Sequence, residues 1–338
     1  MLEKKISIKL TLIISVLGFI GTVFFYQYYI DENNASAKNN ISNVSESLQT
    51  CDYNVIRLNG YKLIKPLLFI EPNCESSKYG GLKYEITSQL KDMKSQGRII
   101  RGSVYFKDFQ KGEWMSINES ELYHPSSLIK VPMLITYLLM GQKDAKLLNA
   151  KLVFEKPEIM AHQTYNSLQV KEGKSYTIKE LLKYMVVYSD NNATFMLNTH
   201  ADMNVFNKLY SDIGLKIPDV HDKNYTISAR EYSQFLRLIF SGNYLTIDNS
   251  EYAAELLSQC EFKEGMQKFL PKDISIAHKF GEWGDGKDLH QLSESGIVYL
   301  NNNPYLITVM TEGKDVKELA NVIADISKVC YVYMNDHK

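Results

Sequence analysis

Three hydrophobic periods divide this chain. The first is a largely apolar run, Leu10–Ile30, preceded by Lys4, Lys5 and Lys9 and followed by Asp31 and Glu32. Its length is close to the ~20 residues that cross a bilayer as a helix. The lysines before it place residues 1–9 in the cytoplasm and the remainder outside. A cleaved signal peptide is the alternative, with Ala35-Ser36-Ala37 as the small-residue cleavage site. The length of the run, and the polar residues between it and that site, favour an anchor in the cell membrane over secretion.

Beyond it, Asp31–Gln49 is polar and rich in Asn and Ser, which predicts a flexible stem. The segment Val55–Glu71 reads as docked on the main body, and Pro66 argues against a central strand there. Gly80-Gly81 marks a break. Residues 31–79 are therefore stem and docking segment, and residues 80–338 are the main domain.

In that domain the period shifts to that of helices. Leu82, Ile86, Leu90 and Met93 share one face, and helices are predicted at 127–140, from Thr177, and at 203–213, 228–239, 250–260 and 316–333. Strands are predicted at 103–109, 113–118, 274–279, 296–300 and 305–311. Strands thus come early and late with helices between them. A single sheet forms only if the last strands return to pair with the first. The predicted fold is α/β (α+β): an antiparallel sheet flanked by helices from both chain ends, with an all-helical lobe inserted.

Composition changes this picture little. With 338 residues, 45% hydrophobic and 23% charged, the chain can bury a large core in one or two domains. A formal net charge of -1 and the lack of a long basic run give no field for nucleic acid. The seven histidines are scattered and no Cys/His cluster has zinc-ligand spacing, so neither metal nor cofactor is expected. Of four cysteines, Cys51 and Cys74 bracket a short segment that export would allow a disulfide to close. Cys260 and Cys330 lie in helix-like segments and read as buried free thiols.

The chemistry is concentrated in three short strings. Ser127-Leu128-Ile129-Lys130 opens an apolar helix, so a hydroxyl and an amine share one face. An uncharged amine there can take the hydroxyl proton and create a nucleophile, and burial among Ile129 and Val131 favours the uncharged form. Free N–H groups at the helix mouth favour a developing oxyanion. Taken alone, Ser126 or Ser127 is equally a helix cap. Ser189-Asp190-Asn191 follows a buried face and starts another helix; its hydroxyl can relay a proton and Asn191 can hold a substrate amide. A plain cap again fits as well. Lys279-Phe280-Gly281 ends a predicted strand, with Lys279 as a cation near both serines. Gly281 lets a substrate lie along the strand edge, and the Glu282 N–H is a second oxyanion donor.

In this order the strings resemble the class A β-lactamase and penicillin-binding protein superfamily, whose motifs are S-x-x-K, S-D-N and K-T-G. The resemblance covers roughly Gly80 to the C-terminus. The interval from Ser127 to Ser189 is close to the family's roughly sixty residues. It implies a β-lactamase/transpeptidase-like fold and an active-site-serine hydrolase acting on a β-lactam or a cell-wall D-alanyl peptide. It further implies Ser127 as nucleophile, Lys130 as base, Ser189 as proton shuttle, Asn191 as substrate-amide ligand and Lys279 as electrostatic anchor.

Two departures stand out. Phe280 replaces the hydroxyl residue of the third motif and Glu282 adds an acid beside it. The stretch Asp219–Tyr225 lacks the family's Glu-x-x-Leu-Asn loop pattern, and the interval from Ser189 to Lys279 is shorter than the family's roughly one hundred residues. Asp219 or Asp222 is the candidate replacement base. The resemblance thus predicts faster acylation than deacylation. The competing expectation is a wall-binding or sensory module that keeps the fold without the chemistry.

Overall fold

The computed structural model describes residues 51–155, 164–165, 167–218, 225–301 and 303–337. The chain divides into two compact units, Met1–Asp52 and Tyr53–Lys338, and the fold below is that of the second. The predicted membrane segment 10–30 lies outside the described residues; among those described, no helix is long and apolar enough to cross a membrane.

Strands β1 (Tyr53–Arg57) and β2 (Leu67–Pro72) pair antiparallel as a separate hairpin. Helix α1 (Gly80–Ser95) follows and buries Leu82, Ile86, Leu90 and Met93, the face expected from the sequence. β3 (Arg101–Asp108) and β4 (Trp114–Ile117) come next, then a 3-10 turn (Ser126–Ile129) leading directly into α2 (Lys130–Lys143). A two-stranded ribbon, β5 (Lys151–Val153) and β6 (Ser175–Thr177), precedes α3 (Ile178–Val187), α4 (Asn191–His200), α5 (Met203–Asp212), α6 (Ala229–Ser241) and α7 (Ile247–Ser258). The chain closes with β7 (Ile276–Gly284), β8 (His290–Val298), β9 (Tyr305–Gly313) and α8 (Val316–Asp336).

The main sheet has the order β4-β3-β9-β8-β7, with every neighbouring pair antiparallel. The late strands do return to the early ones: β9 pairs with β3 along its whole length. The inserted lobe carries the β5–β6 ribbon beside its helices, which corrects the all-helical expectation. β8 begins six residues before the predicted strand, and Lys279 lies inside β7, not at its end.

Side chains alternate across the sheet. Val104 and Phe106 join the core that holds α1 and α8, while Tyr105 between them joins the core of the helical lobe. On β7, Ala277 enters the lobe core whereas Ile276 and Phe280 enter the other. Lys279, with the parity of Ala277, therefore starts on the lobe side of an edge strand.

Local signals fix the elements that carry the motifs. Thr177 caps α3 in a reciprocal box with Glu180, and Ser228 does the same for α6 with Glu231. Pro132 is the third residue of α2, in the first turn, where proline is tolerated. Cys51 and Cys74 are disulfide-bonded, and Cys260 and Cys330 are buried free thiols.

Candidate active site

The site lies where the 3-10 turn, the α3–α4 junction and β7 meet. Ser127 sits on the turn and Lys130 is the first residue of α2, so both belong to one continuous helical path. Both side chains are buried. Ser126 and Ser189 adopt left-handed backbone, with φ of 48° and 54°. For residues other than glycine this costs roughly 1–2 kcal/mol each. Two such residues next to or within the motifs mark places where tertiary contacts over-determine the backbone.

What fixes the turn is specific. The Tyr232 hydroxyl of α6 donates to the Leu128 carbonyl at 2.9 Å. The Ser126 hydroxyl donates to the backbone oxygen of Glu282 on β7. In an antiparallel strand a residue's N–H and C=O point to the same side, so the Glu282 N–H also faces the turn. Gly281 beside it makes the approach sterically possible: a Cβ there would lie 2.5 Å from the Pro125 oxygen and 3.0 Å from the Leu128 nitrogen. Gly281, expected from the sequence to let a substrate lie along the strand edge, thus also has a packing reason.

The second motif is bound as tightly. Asp190 caps α4, accepting from the Asn192 N–H, and its second oxygen accepts from the Val170 N–H, both at 2.9 Å. Lys130 Nζ then reaches across to three oxygens: the Ser189 carbonyl at 2.6 Å, the Ser189 hydroxyl at 3.1 Å and Asn191 Oδ1 at 2.9 Å. From the opposite side Lys279 Nζ donates to the Ser189 hydroxyl at 2.9 Å and to the Phe280 carbonyl at 3.0 Å. One hydroxyl thus stands between two amines. These bonds join Lys130, Ser189, Asn191 and Lys279, and the turn that carries Ser127 packs on Gly281 and Glu282 of β7, with the Glu282 carboxylate at the rim accepting from the Thr164 N–H and hydroxyl.

The model of the beta-lactamase enzyme family matches residues 85–334. The chain belongs to this family. It is similar to beta-lactamase BRO-1 of Moraxella catarrhalis, at 24% identity over 243 residues, 66% of this chain and 76% of that protein. Among solved structures, a beta-lactamase from Chitinophaga pinensis superposes with a TM-score of 0.64 at 20% identity, covering 74% of this chain and 99% of the other. The TLA-1 extended-spectrum beta-lactamase gives 0.65 at 20%, covering 75% and 98%. A mutant of PBP-A, solved as an acyl-enzyme complex with penicillin G, gives 0.63 at 19%, covering 76% and 97%. The shared fold is the beta-lactamase/transpeptidase-like arrangement of antiparallel sheet and helices, and the family is one of serine hydrolases.

Electrostatics in this beta-lactamase-family site follow from burial. Desolvation, reinforced by the Lys279 charge, holds the Lys130 amine well below the usual lysine range, against the pull of Asp190 and Cys260. Burial also pushes Lys279 down to about 8, with Cys260 and Glu294 opposing it. Asp190 is raised by burial even though three backbone N–H groups favour its charged form.

Sequence reasoning missed several contributors. Tyr232 carries no local signal. Cys260 is a buried thiol near both lysines, and burial pushes its pKa up so that it stays uncharged beside them. Residues 219–224, with the candidate bases Asp219 and Asp222, lie outside the described residues. Beside Ser126 a cavity of about 660 Å³ opens, walled by apolar groups that include Ile129, Met133, Phe195 and Trp283.

Proposed function

We propose that the chain is a serine hydrolase that forms an acyl-enzyme on Ser127 and releases it slowly. The Ser127 oxygen attacks the carbonyl carbon of a β-lactam or D-alanyl peptide while its proton passes to Lys130. The carbon–nitrogen bond then breaks, and Ser189, re-protonated from the lysine pair, delivers a proton to the departing nitrogen. The N–H groups of Ser127 and Glu282 stabilise the oxyanion. Asn191 orients the substrate amide, Lys279 keeps positive charge beside Ser189, and the cavity next to Ser126 takes the acyl side group.

One observation carries this reading: the buried Lys130 amine hydrogen-bonds Ser189 and Asn191 at once, with Lys279 on the far side of the same hydroxyl. The penicilloyl PBP-A relative supports it as a precedent on this fold. Slow release rests on the absence of the family's glutamate pattern from the sequence 219–225.

The test is intact-protein mass spectrometry after incubation with a penicillin. A stoichiometric mass gain is expected, absent in Ser127→Ala. Hydrolysis of a chromogenic cephalosporin should be much slower than that labelling.

Phe280 and Glu282 favour a second reading, a wall-binding or sensory module without catalysis. It predicts peptidoglycan binding unchanged by Ser127→Ala and Lys130→Ala, and no adduct with any acyl donor. A membrane anchor at residues 10–30, with the Tyr53–Lys338 unit outside the cell, is proposed with either reading. Protease accessibility on intact cells would check it.

A further inference from the structure

The leaving-group side of the site is unusual. Phe280 is 3% exposed, stacks on Phe262 with ring centres 4.3 Å apart, and meets Tyr165 edge-on at 6.2 Å. Its ring lies 4.0 Å below Lys279 Nζ. The lysine already donates to the Ser189 hydroxyl and the Phe280 carbonyl, so two of its three N–H bonds are committed.

Directly opposite Phe280 in the β7–β8 register stands Glu294, whose side chain shares that face of the sheet. Glu294 is fully buried; one oxygen lies 2.5 Å from His278 Nδ1 and the other accepts from the Met266 N–H at 2.9 Å. Two residues beyond Phe280, the Glu282 carboxylate sits at the rim, bonded to Thr164.

Phe280 borders a cavity of about 440 Å³ that reaches Tyr188, the residue before Ser189, and Thr164, which holds the Glu282 carboxylate, lines it too. Its aromatic walls are Tyr165, Tyr188, Phe262 and Phe280, and Glu261 and Glu264 add carboxylates. Lys263 is the cation among its described lining residues, and that amine donates to Gln267. Glu261 and Glu264 thus line this side and Glu282 stands beyond Thr164, against Lys263, the Glu264-bound Lys268 and the committed Lys279, while the buried Glu294 is paired to His278. An entering carboxylate would meet a phenyl ring where it needs a donor, and like charge beyond it.

Building on the acyl-enzyme reading, we propose that this cavity receives the leaving group and favours acyl donors whose leaving group carries no carboxylate, so that penicillins and D-alanyl peptides acylate Ser127 but more slowly. An amide-terminated group, or one bearing an ammonium that the aromatic walls and glutamates can hold, fits it better than a free acid.

Two thioesters test this directly: N-acyl-D-alanyl thioglycolate and the near-isosteric thioglycolamide. Each forms the same acyl–Ser127 ester as the carbon–sulfur bond breaks, and the thiol leaves with the serine proton. With the full-length chain, the amide should label Ser127 at least about tenfold faster, since like-charge juxtaposition costs several kcal/mol. Glu282→Gln and Phe280→Thr should each narrow that ratio. A merely structural role would slow both thioesters alike. Equal or faster labelling by the free acid, or a ratio unmoved in both variants, overturns the selectivity while leaving the acyl-enzyme. Labelling by neither thioester removes the acyl-enzyme reading and the selectivity with it.

Discussion

Lys130 holds Ser189 at two points, its Nζ lying 2.6 Å from the Ser189 carbonyl oxygen and 3.1 Å from the hydroxyl. The carbonyl and Asn191 Oδ1 are pure acceptors and consume two N–H bonds. An uncharged amine then has only its lone pair left, and only hydroxyl groups can give it a proton. The geometry therefore suits a base, and it suits a relay through Ser189 toward Lys279.

Removing that hydroxyl tests the relay. Ser189→Ala should keep the backbone contact to Lys130 yet slow acylation by about 10²-fold or more, the usual size of a positioned proton-transfer group. Because φ at Ser189 is 54°, Ser189→Gly serves as a companion that lacks the hydroxyl and relieves the backbone. Both should slow the mass gain to a similar degree. If the glycine variant labels at the parent rate, the relay is absent.

The two lysines also set a pH window. Acylation needs Lys130 uncharged and Lys279 charged. Lys130 is held low, so its base form persists well below the usual lysine range. Lys279 titrates at about 8 and is a cation below that value. The labelling rate should fall as pH rises through about 8, and Lys279→Arg should move that limb to higher pH because guanidinium stays charged. Rates of adduct formation across the range check both statements. An alkaline limb at the same pH in the arginine variant would assign it to another group.

Gly281 gives a steric test. A Cβ at this position meets the Pro125 backbone oxygen at 2.5 Å, too close for any real contact, with the Leu128 backbone nitrogen and Cγ at 3.0 Å. Gly281→Ala must push β7 away from the turn that carries Ser127 and strain the Ser126–Glu282 contact. A displacement near 1 Å at a reacting centre costs on the order of 10²-fold. The expected outcome is a loss of labelling of that size together with a lower Tm, read by mass spectrometry and thermal melting on one sample.

Much of this was legible because it is local. The α1 face, the caps at Thr177 and Ser228, and the three motif strings each depend on residues a few positions apart. The predicted strand 296–300 starts six residues after β8 does, because the first half of β8 has the pattern of a polar loop. Gln291, Ser293, Glu294 and Ser295 are nonetheless buried. Gln291 donates to Glu312, Glu294 pairs with His278 and Ser295 bonds Thr308. Those partners lie on other strands or at a distance, where a hydropathy pattern cannot show them. The same holds for Tyr232 at the nucleophile turn and for the pairing that makes Val55–Glu71 a hairpin.

That hairpin supplies the last prediction. Glu71 on β2 is buried and receives Arg237 at 3.1 Å, Lys107 and Arg230 at 3.2 Å each, and the Tyr105 hydroxyl at 2.7 Å. Burial alone would raise its pKa, but the charges of Arg237 and Lys107, then Tyr105 and Arg230, outweigh it and bring it from 4.5 to about 2. The folded state therefore binds this proton less readily than the unfolded one. The resulting stability is fully present above about 4.5 and is lost as pH falls toward about 2. Glu71→Gln should remove that pH dependence and leave Arg237 and Lys107 buried without their counter-charge, at a cost of about 3–5 kcal/mol, as for other broken buried pairs. Denaturant melts at pH 7 and pH 3 check it: the parent should lose stability between the two, and the variant, weaker at pH 7, should lose less. A variant as stable as the parent at pH 7 would mean the hairpin is held by Leu68 and Phe69 packing instead.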